Sequence, residues 1–176
     1  QKLDISMPFI LMTFHRPSNV DISINLESLI NSIRELSKQV DCIFPIHPRT
    51  RKLLNGLSIY NDLKNHKNIL LIDPLGYIDF MNLQKHSSVV ITDSGGIQEE
   101  STFLGIPCLT VRESTERPIT VLEGTNKIIG TSYNNIVEEA KLAMKNKYKI
   151  NRKIPNLWDG KAAERILKVF QSNFNV

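Results

Sequence analysis

Short apolar runs alternate with longer amphipathic stretches along most of this chain. Residues 9–13 read Phe-Ile-Leu-Met-Thr, 42–46 Cys-Ile-Phe-Pro-Ile, 69–72 Ile-Leu-Leu-Ile and 88–92 Ser-Val-Val-Ile-Thr. Runs this short and almost wholly apolar predict strands covered on both faces, as in a parallel sheet. Residues 108–111 and 127–129 predict two further strands. Between the strands the period changes. Leu26, Leu29, Ile30, Ile33 and Leu36 recur at helical spacing and predict a helix over 26–40. Other helices are predicted at 50–54, 77–85, 97–104, 135–144 and 160–174, the last with Ala163, Ile166, Leu167 and Phe170 on one side. The stretch up to Lys67 is polar and gives no firm pattern, and a long loop is expected from 112 through Arg117-Pro118.

Strands alternating with helices at this spacing predict an α/β fold, a doubly wound parallel sheet of Rossmann-like type. Ligands of such sheets sit beyond the carboxyl ends of the strands. The chemically useful side chains fall there in succession: His15 after the first strand, His47 and Arg49 after the second, Phe80 after the third, Ser94 after the fourth, Glu116 and Arg117 after the fifth. So regular a placement points to a site.

The richest stretch is 89–101, Val-Val-Ile-Thr-Asp-Ser-Gly-Gly-Ile-Gln-Glu-Glu-Ser. Ser94 suits a helix N-cap, and Gly95-Gly96 allow a sharp turn without a Cβ in the way. A helix N-terminus with bare glycines offers unpaired N–H groups and the positive end of a dipole, which suits a phosphate. Glu99 and Glu100 would repel a ligand that brought only charge. A carboxylate one turn into the helix suits a diol instead, since it can accept two hydroxyl hydrogen bonds from a ribose. The same glycines would also serve an ordinary strand-to-helix connection built for packing alone.

With 176 residues, 41% apolar and 23% charged, the chain is long enough for one globular domain with a core. A net charge of +4 suits anionic small molecules. The basic stretch 141–153 carries only Tyr148 as an aromatic and reads as a solvated surface, so no nucleic-acid partner is expected. No run of 18 apolar residues and no signal-peptide pattern occurs, so the expectation is a soluble, cytoplasmic protein without a membrane partner. Cys42 and Cys108 make no disulfide framework, and His15, His47, His66 and His86 lack ligand spacing, so no metal site is expected. The chain opens at Gln1 and enters a strand almost at once, as expected of a piece of a longer protein.

Four strings carry a more specific signal: Asp93-Ser94-Gly95-Gly96-Ile97-Gln98-Glu99-Glu100, Leu104-Gly105-Ile106-Pro107, Thr115-Glu116-Arg117-Pro118 and Glu123-Gly124-Thr125. Together they resemble the C-terminal half of the non-hydrolysing UDP-N-acetylglucosamine 2-epimerases, from about Phe9 to the C-terminus. The resemblance implies one Rossmann-like, UDP-binding domain over 1–176, the C-terminal half of a glycosyltransferase-B type fold whose N-terminal domain is absent. It implies elimination and re-addition of UDP across C1–C2, with no cofactor, and a homodimer in the full-length enzyme. Its proton-handling carboxylates come mainly from the N-terminal domain, so this half is expected to bind but not turn over.

Carried over by motif, His15 becomes the catalytic group that helps the UDP leave, Ser94, Gly95 and Gly96 hold the diphosphate, Glu100 binds the ribose, and Phe80 packs by the uracil. On residue chemistry alone, Glu99 competes for the ribose and Phe80 reads as core. Arg16 and His47 match positions that touch an activating second substrate in many bacterial members. Those members read His-Arg-Arg-Glu-Asn where this chain reads His15-Arg16-Pro17-Ser18-Asn19, so activation is not carried over and a related UDP-N-acetyl sugar becomes an option. Glu116 and Arg117 are either sugar or phosphate contacts or a local salt bridge that fixes their loop. Two rival functions remain on residues alone: the donor half of a B-type glycosyltransferase, and a non-catalytic nucleotide-sugar sensor.

Overall fold

The computed structural model describes residues 8–55, 57–146 and 154–174. Its strands are β1 Phe9–Thr13, β2 Asp41–Pro45, β3 Ile69–Ile72, β4 Val89–Thr92, β5 Cys108–Thr110 and β6 Asn126–Ile128. They form one six-stranded sheet, parallel throughout, in the order β3-β2-β1-β4-β5-β6. The connections carry α1 Pro17–Val20, α2 Ser23–Leu36, α3 Pro48–Leu54, α4 Ser58–Lys64, α5 Tyr77–His86, α6 Gly95–Leu104, α7 Pro118–Leu122 and α8 Tyr133–Asn146, and α9 Ala162–Phe174 follows.

The apolar runs dictate this arrangement because their side chains alternate between two cores. In β1, Ile10 and Met12 join Leu26, Leu29, Ile30 and Ile33 of α2 and Ile136, Val137 and Ala140 of α8. Phe9 and Leu11 point the other way, onto Ile43 and Val90, under Phe80 and Leu83 of α5 and Ile97 of α6. Each such fully buried aliphatic contributes about 1.5–3 kcal/mol, so strands apolar on both faces must lie between helix layers. Among the described residues, no helix is long and apolar enough to cross a membrane.

Four details differ from the sequence reading. The α2 helix stops at Leu36 rather than at 40, and Val40 is nevertheless buried in the first core, which is why its periodicity misled. The polar stretch before Lys67 holds α4, anchored by buried Leu63. The expected loop after β5 is followed directly by α7, a five-residue helix with Pro118 in its first turn, where the missing N–H costs nothing. Finally, Gly95 and Gly96 form the first turn of α6 itself, and neither has a positive φ. Part of the basic stretch, 147–153, lies outside the described residues.

The strand order reverses between β1 and β4, neighbours in the sheet but far apart in sequence. A crevice opens at such a switch point, beyond the carboxyl ends of both strands. Phe14-His15-Arg16 and Asp93-Ser94 enter it from the two sides.

Candidate functional site

Asp93 lies at the floor of the crevice. It follows β4 directly, and its side chain is fully buried. A buried carboxylate must be hydrogen-bonded or it is too costly to ionise. Here the backbone N–H of His15 donates to both oxygens at 3.1 and 3.0 Å, and that of Arg16 donates at 2.9 Å. The Asn19 side-chain amide adds a bond at 3.1 Å and also donates to the Val111 carbonyl. Burial pushes the Asp93 carboxyl up, but the bonds from His15 and Arg16 outweigh it and hold the group below the usual 3.8. The turn after β1 is thus wrapped around one anion.

The same anion meets the His15 ring, with Nδ1 at 3.0 Å from Asp93 Oδ1. The ring is 35% exposed, so one edge faces the carboxylate and the other the crevice. His47 caps α3, its Nδ1 accepting from the Arg49 N–H at 3.2 Å, and its ring tilts against His15 with centroids 5.2 Å apart. Burial, then the neighbouring His15, lowers the His47 pKa. Arg49 turns away and pairs with Asp21.

Across the crevice stands the start of α6. Ser94 has the extended backbone of an N-cap, but its hydroxyl makes no capping bond, correcting the expectation of a serine cap. Its own N–H donates to Thr92 Oγ1 at 3.0 Å. A Cβ on Gly95 would come within 3.2 Å of Glu116 Oε1, whereas one on Gly96 would meet nothing within 4 Å. Gly95 therefore answers a close approach rather than a turn. One turn further, Glu99 is paired with Arg117 at 3.1 Å, without the alignment of a hydrogen bond. Glu100 is half-buried and makes no hydrogen bond or ion pair among the described residues. Burial, with Glu99 beside it, pushes its carboxyl up. Phe80 is half-buried against the second core.

Glu116 and Arg117 form the rim, and they do not pair through their charged groups. The Glu116 carboxylate accepts from Arg16 at 2.7 Å and from Arg112 at 2.6 Å. Its own backbone N–H, then Arg112 and Arg16, hold it at about 2. Behind this rim lies a buried polar network. Thr115 donates to Gln98 Oε1 at 2.6 Å, Asn126 donates to Gln98 and Thr120 at 3.0 Å each, and Thr120 donates to the Arg117 carbonyl at 2.7 Å. The network fixes the Thr-Glu-Arg-Pro loop against α6.

The switch point therefore gathers His15, Arg16, His47, Ser94, Gly95 and Glu116, with Glu100 one turn along α6 and Arg117 at the start of α7, paired with Glu99 of α6. Sequence reasoning passed over Asp93, Asn19 and Arg112. A signal for Asp93 existed: a carboxylate ending a continuous apolar strand has no local partner and must find donors elsewhere.

The family model for UDP-N-acetylglucosamine 2-epimerase matches residues 2–171. A UDP-N-acetylglucosamine 2-epimerase of Methanocaldococcus jannaschii is 40% identical over 163 residues, 92% of this chain and 44% of its own. A UDP-2,3-diacetamido-2,3-dideoxy-D-glucuronate 2-epimerase of Pseudomonas aeruginosa is 36% identical over 137 residues, 77% of this chain and 37% of its own. A crystal structure of the M. jannaschii epimerase in complex with UDP-GlcNAc and UDP superposes with a TM-score of 0.82 at 35% identity, covering 94% of this chain and 45% of that one. The chain spans about half the length of these relatives. By sequence and by fold, it belongs to the UDP-N-acetylglucosamine 2-epimerase family.

Proposed function

We propose that this chain is the nucleotide-binding half of an epimerase that inverts C2 of a UDP-linked 2-acetamido sugar. The observation that carries the reading is that His15, paired with Asp93, and the uncapped N-terminus of α6 stand at the same switch point. The N–H groups of Gly95 and Gly96, with the Ser94 hydroxyl that makes no capping bond, hold the diphosphate, helped by the positive end of the helix dipole. Glu100 takes the ribose hydroxyls. Its lack of a partner supports that role over Glu99, which Arg117 already occupies. Phe80 presents its exposed edge to the uracil.

In this reaction the C2 proton is removed and the C1–O bond breaks, releasing UDP and leaving a C1–C2 alkene. UDP then returns to C1 as a proton is delivered to the opposite face of C2. Charge grows on the β-phosphate as the bond breaks, and the His15 imidazole stabilises it there by hydrogen bonding or charge. The proton-handling groups belong to a further domain, as relatives of about twice this length would carry. The exposed apolar stripe of α9, with Ile166 and Leu167 each 57% exposed, supplies a face for that domain. Two buried, free thiols, Cys42 and Cys108, suit a reducing cytoplasm. Activation by a second substrate is not part of this reading: Arg16 is engaged by Glu116, and the His47 ring tilts against His15.

The test is a titration of the chain with UDP to about millimolar, the range of a weak half-site, followed by backbone amide NMR. Shifts concentrated at Ser94, Gly95 and Gly96, and absent with uridine, are expected. Shifts elsewhere, or equal shifts with uridine, would overturn the diphosphate assignment.

A further inference from the structure

A charged group sealed from water is most informative when its partners exceed what folding needs. Asp93 has no exposed surface and could be satisfied by backbone donors alone. It nevertheless also faces an ionisable ring atom, His15 Nδ1 at 3.0 Å. We propose that Asp93 is a positioning residue that locks His15 in the Nδ1–H tautomer and thereby presents Nε2 to the crevice. This rests on the reading of His15 as the group beside the departing diphosphate.

The logic is one of donors and acceptors. An ionised carboxylate can only accept, so the imidazole nitrogen facing it must carry a proton. In the neutral ring the other nitrogen, Nε2, is then an acceptor; on protonation it becomes a donor with the positive charge behind it. Asp93 thus prepares one ring edge to take up a proton and offer it as a hydrogen bond where negative charge develops. The Asn19 amide and the two backbone N–H groups keep the carboxylate from rotating away.

His47 provides a built-in contrast. Its Nδ1 accepts from the Arg49 N–H, so the neutral ring carries its proton on Nε2. Two imidazoles with centroids 5.2 Å apart are therefore set in opposite tautomers by different partners, one by a carboxylate and one by a backbone amide. A carboxylate placed only to brace the loop would have no reason to choose between ring nitrogens.

The experiment needs no ligand. In ¹⁵N-histidine-labelled protein at a pH where the rings are neutral, two-bond ¹H–¹⁵N spectra report the tautomer of each histidine. We expect Nδ1–H for His15 and Nε2–H for His47. In Asp93→Asn the amide NH₂ can donate to Nδ1, and His15 is expected to invert to Nε2–H. If that variant does not fold, the wild-type spectrum alone decides. Asn19→Ala, which removes one donor to Asp93 without touching the ring, is expected to retain Nδ1–H.

Finding His15 in wild type as Nε2–H, or as the exchanging mixture of a free imidazole, would overturn the proposal. So would an Asp93→Asn protein that folds and keeps Nδ1–H. Absence of UDP binding would instead sink the nucleotide reading and leave the tautomer result standing.

Discussion

Two carboxylates flank the crevice, and they illustrate opposite designs. Asp93, on the floor, is fully buried and takes hydrogen bonds from three consecutive features of the β1 exit: the His15 N–H, the Arg16 N–H and the Asn19 amide. Glu116, on the rim, is 41% exposed and is held by two arginines. Judged by its pKa alone, held at about 2, Glu116 looks like the stronger anchor. Solvent screening reverses that ranking, because exposed ion pairs contribute only about 0–1 kcal/mol each. The difference teaches that the floor makes the fold and the rim is free to exchange partners. A binding site needs both: a fixed reference for the reacting group, and side chains that can move to a ligand at little cost.

The sharpest way to break the comparison is to delete the floor. Asp93→Ala leaves the His15 and Arg16 N–H groups without an acceptor and costs the Asn19 amide one of its two bonds, at about 1 kcal/mol or more each. Destabilisation of about 3 kcal/mol is expected in urea unfolding. A loss below about 1 kcal/mol, the scale of a surface pair, would place Asp93 with the rim.

Acid pH, read in single variants, separates the two groups. The folded-state pKa of Asp93 lies below its unfolded value. Its contribution to stability is therefore fully present above the usual carboxylate range and is lost as pH falls through the folded value. Glu116 has the same sign, its contribution lost progressively as pH falls from the usual carboxylate range through about 2. Unfolding followed down to about pH 2 is expected to show acid destabilisation that Glu116→Gln leaves almost unchanged and Asp93→Asn largely removes. An acid profile flattened by Glu116→Gln instead would reverse the roles of floor and rim.

The comparison also shows what the sequence could and could not disclose. Buried strands were legible because local composition decides them: 9–13 and 69–72 coincide with β1 and β3. Site residues after strand ends were legible for the same reason, since parallel topology sends every strand end to one edge. What stayed hidden was pairing. Asp93 and His15 lie 78 positions apart, and nothing local to either reveals the contact. The choice between Glu99 and Glu100 likewise turned on motif register, while the structural distinction is that Arg117 reaches one and not the other. Gly95 was read as a turn residue, but its backbone is helical, and its demand for a missing side chain comes from Glu116 across the crevice. Short α7 escaped because five residues carry too little periodicity to register.

The smallest expected effect is the most revealing about the rim. Glu116 Oε1 comes close enough to Gly95 to crowd a Cβ, so a negative charge stands beside the α6 N-terminus where the diphosphate is proposed to bind. That charge both opposes an incoming phosphate and occupies Arg16 and Arg112, which could otherwise turn toward it. Glu116→Gln removes the repulsion and loosens both arginines while keeping the side chain's shape. Stability is expected to change by less than about 1 kcal/mol. UDP affinity is expected to rise about threefold, with uridine unaffected, because only the phosphates feel the charge. The gain should shrink at high salt, where exposed charges are screened. Weaker UDP binding in Glu116→Gln would mean that Glu116 fastens the arginines in a working position, making the rim a second fixed reference rather than a set of exchangeable partners.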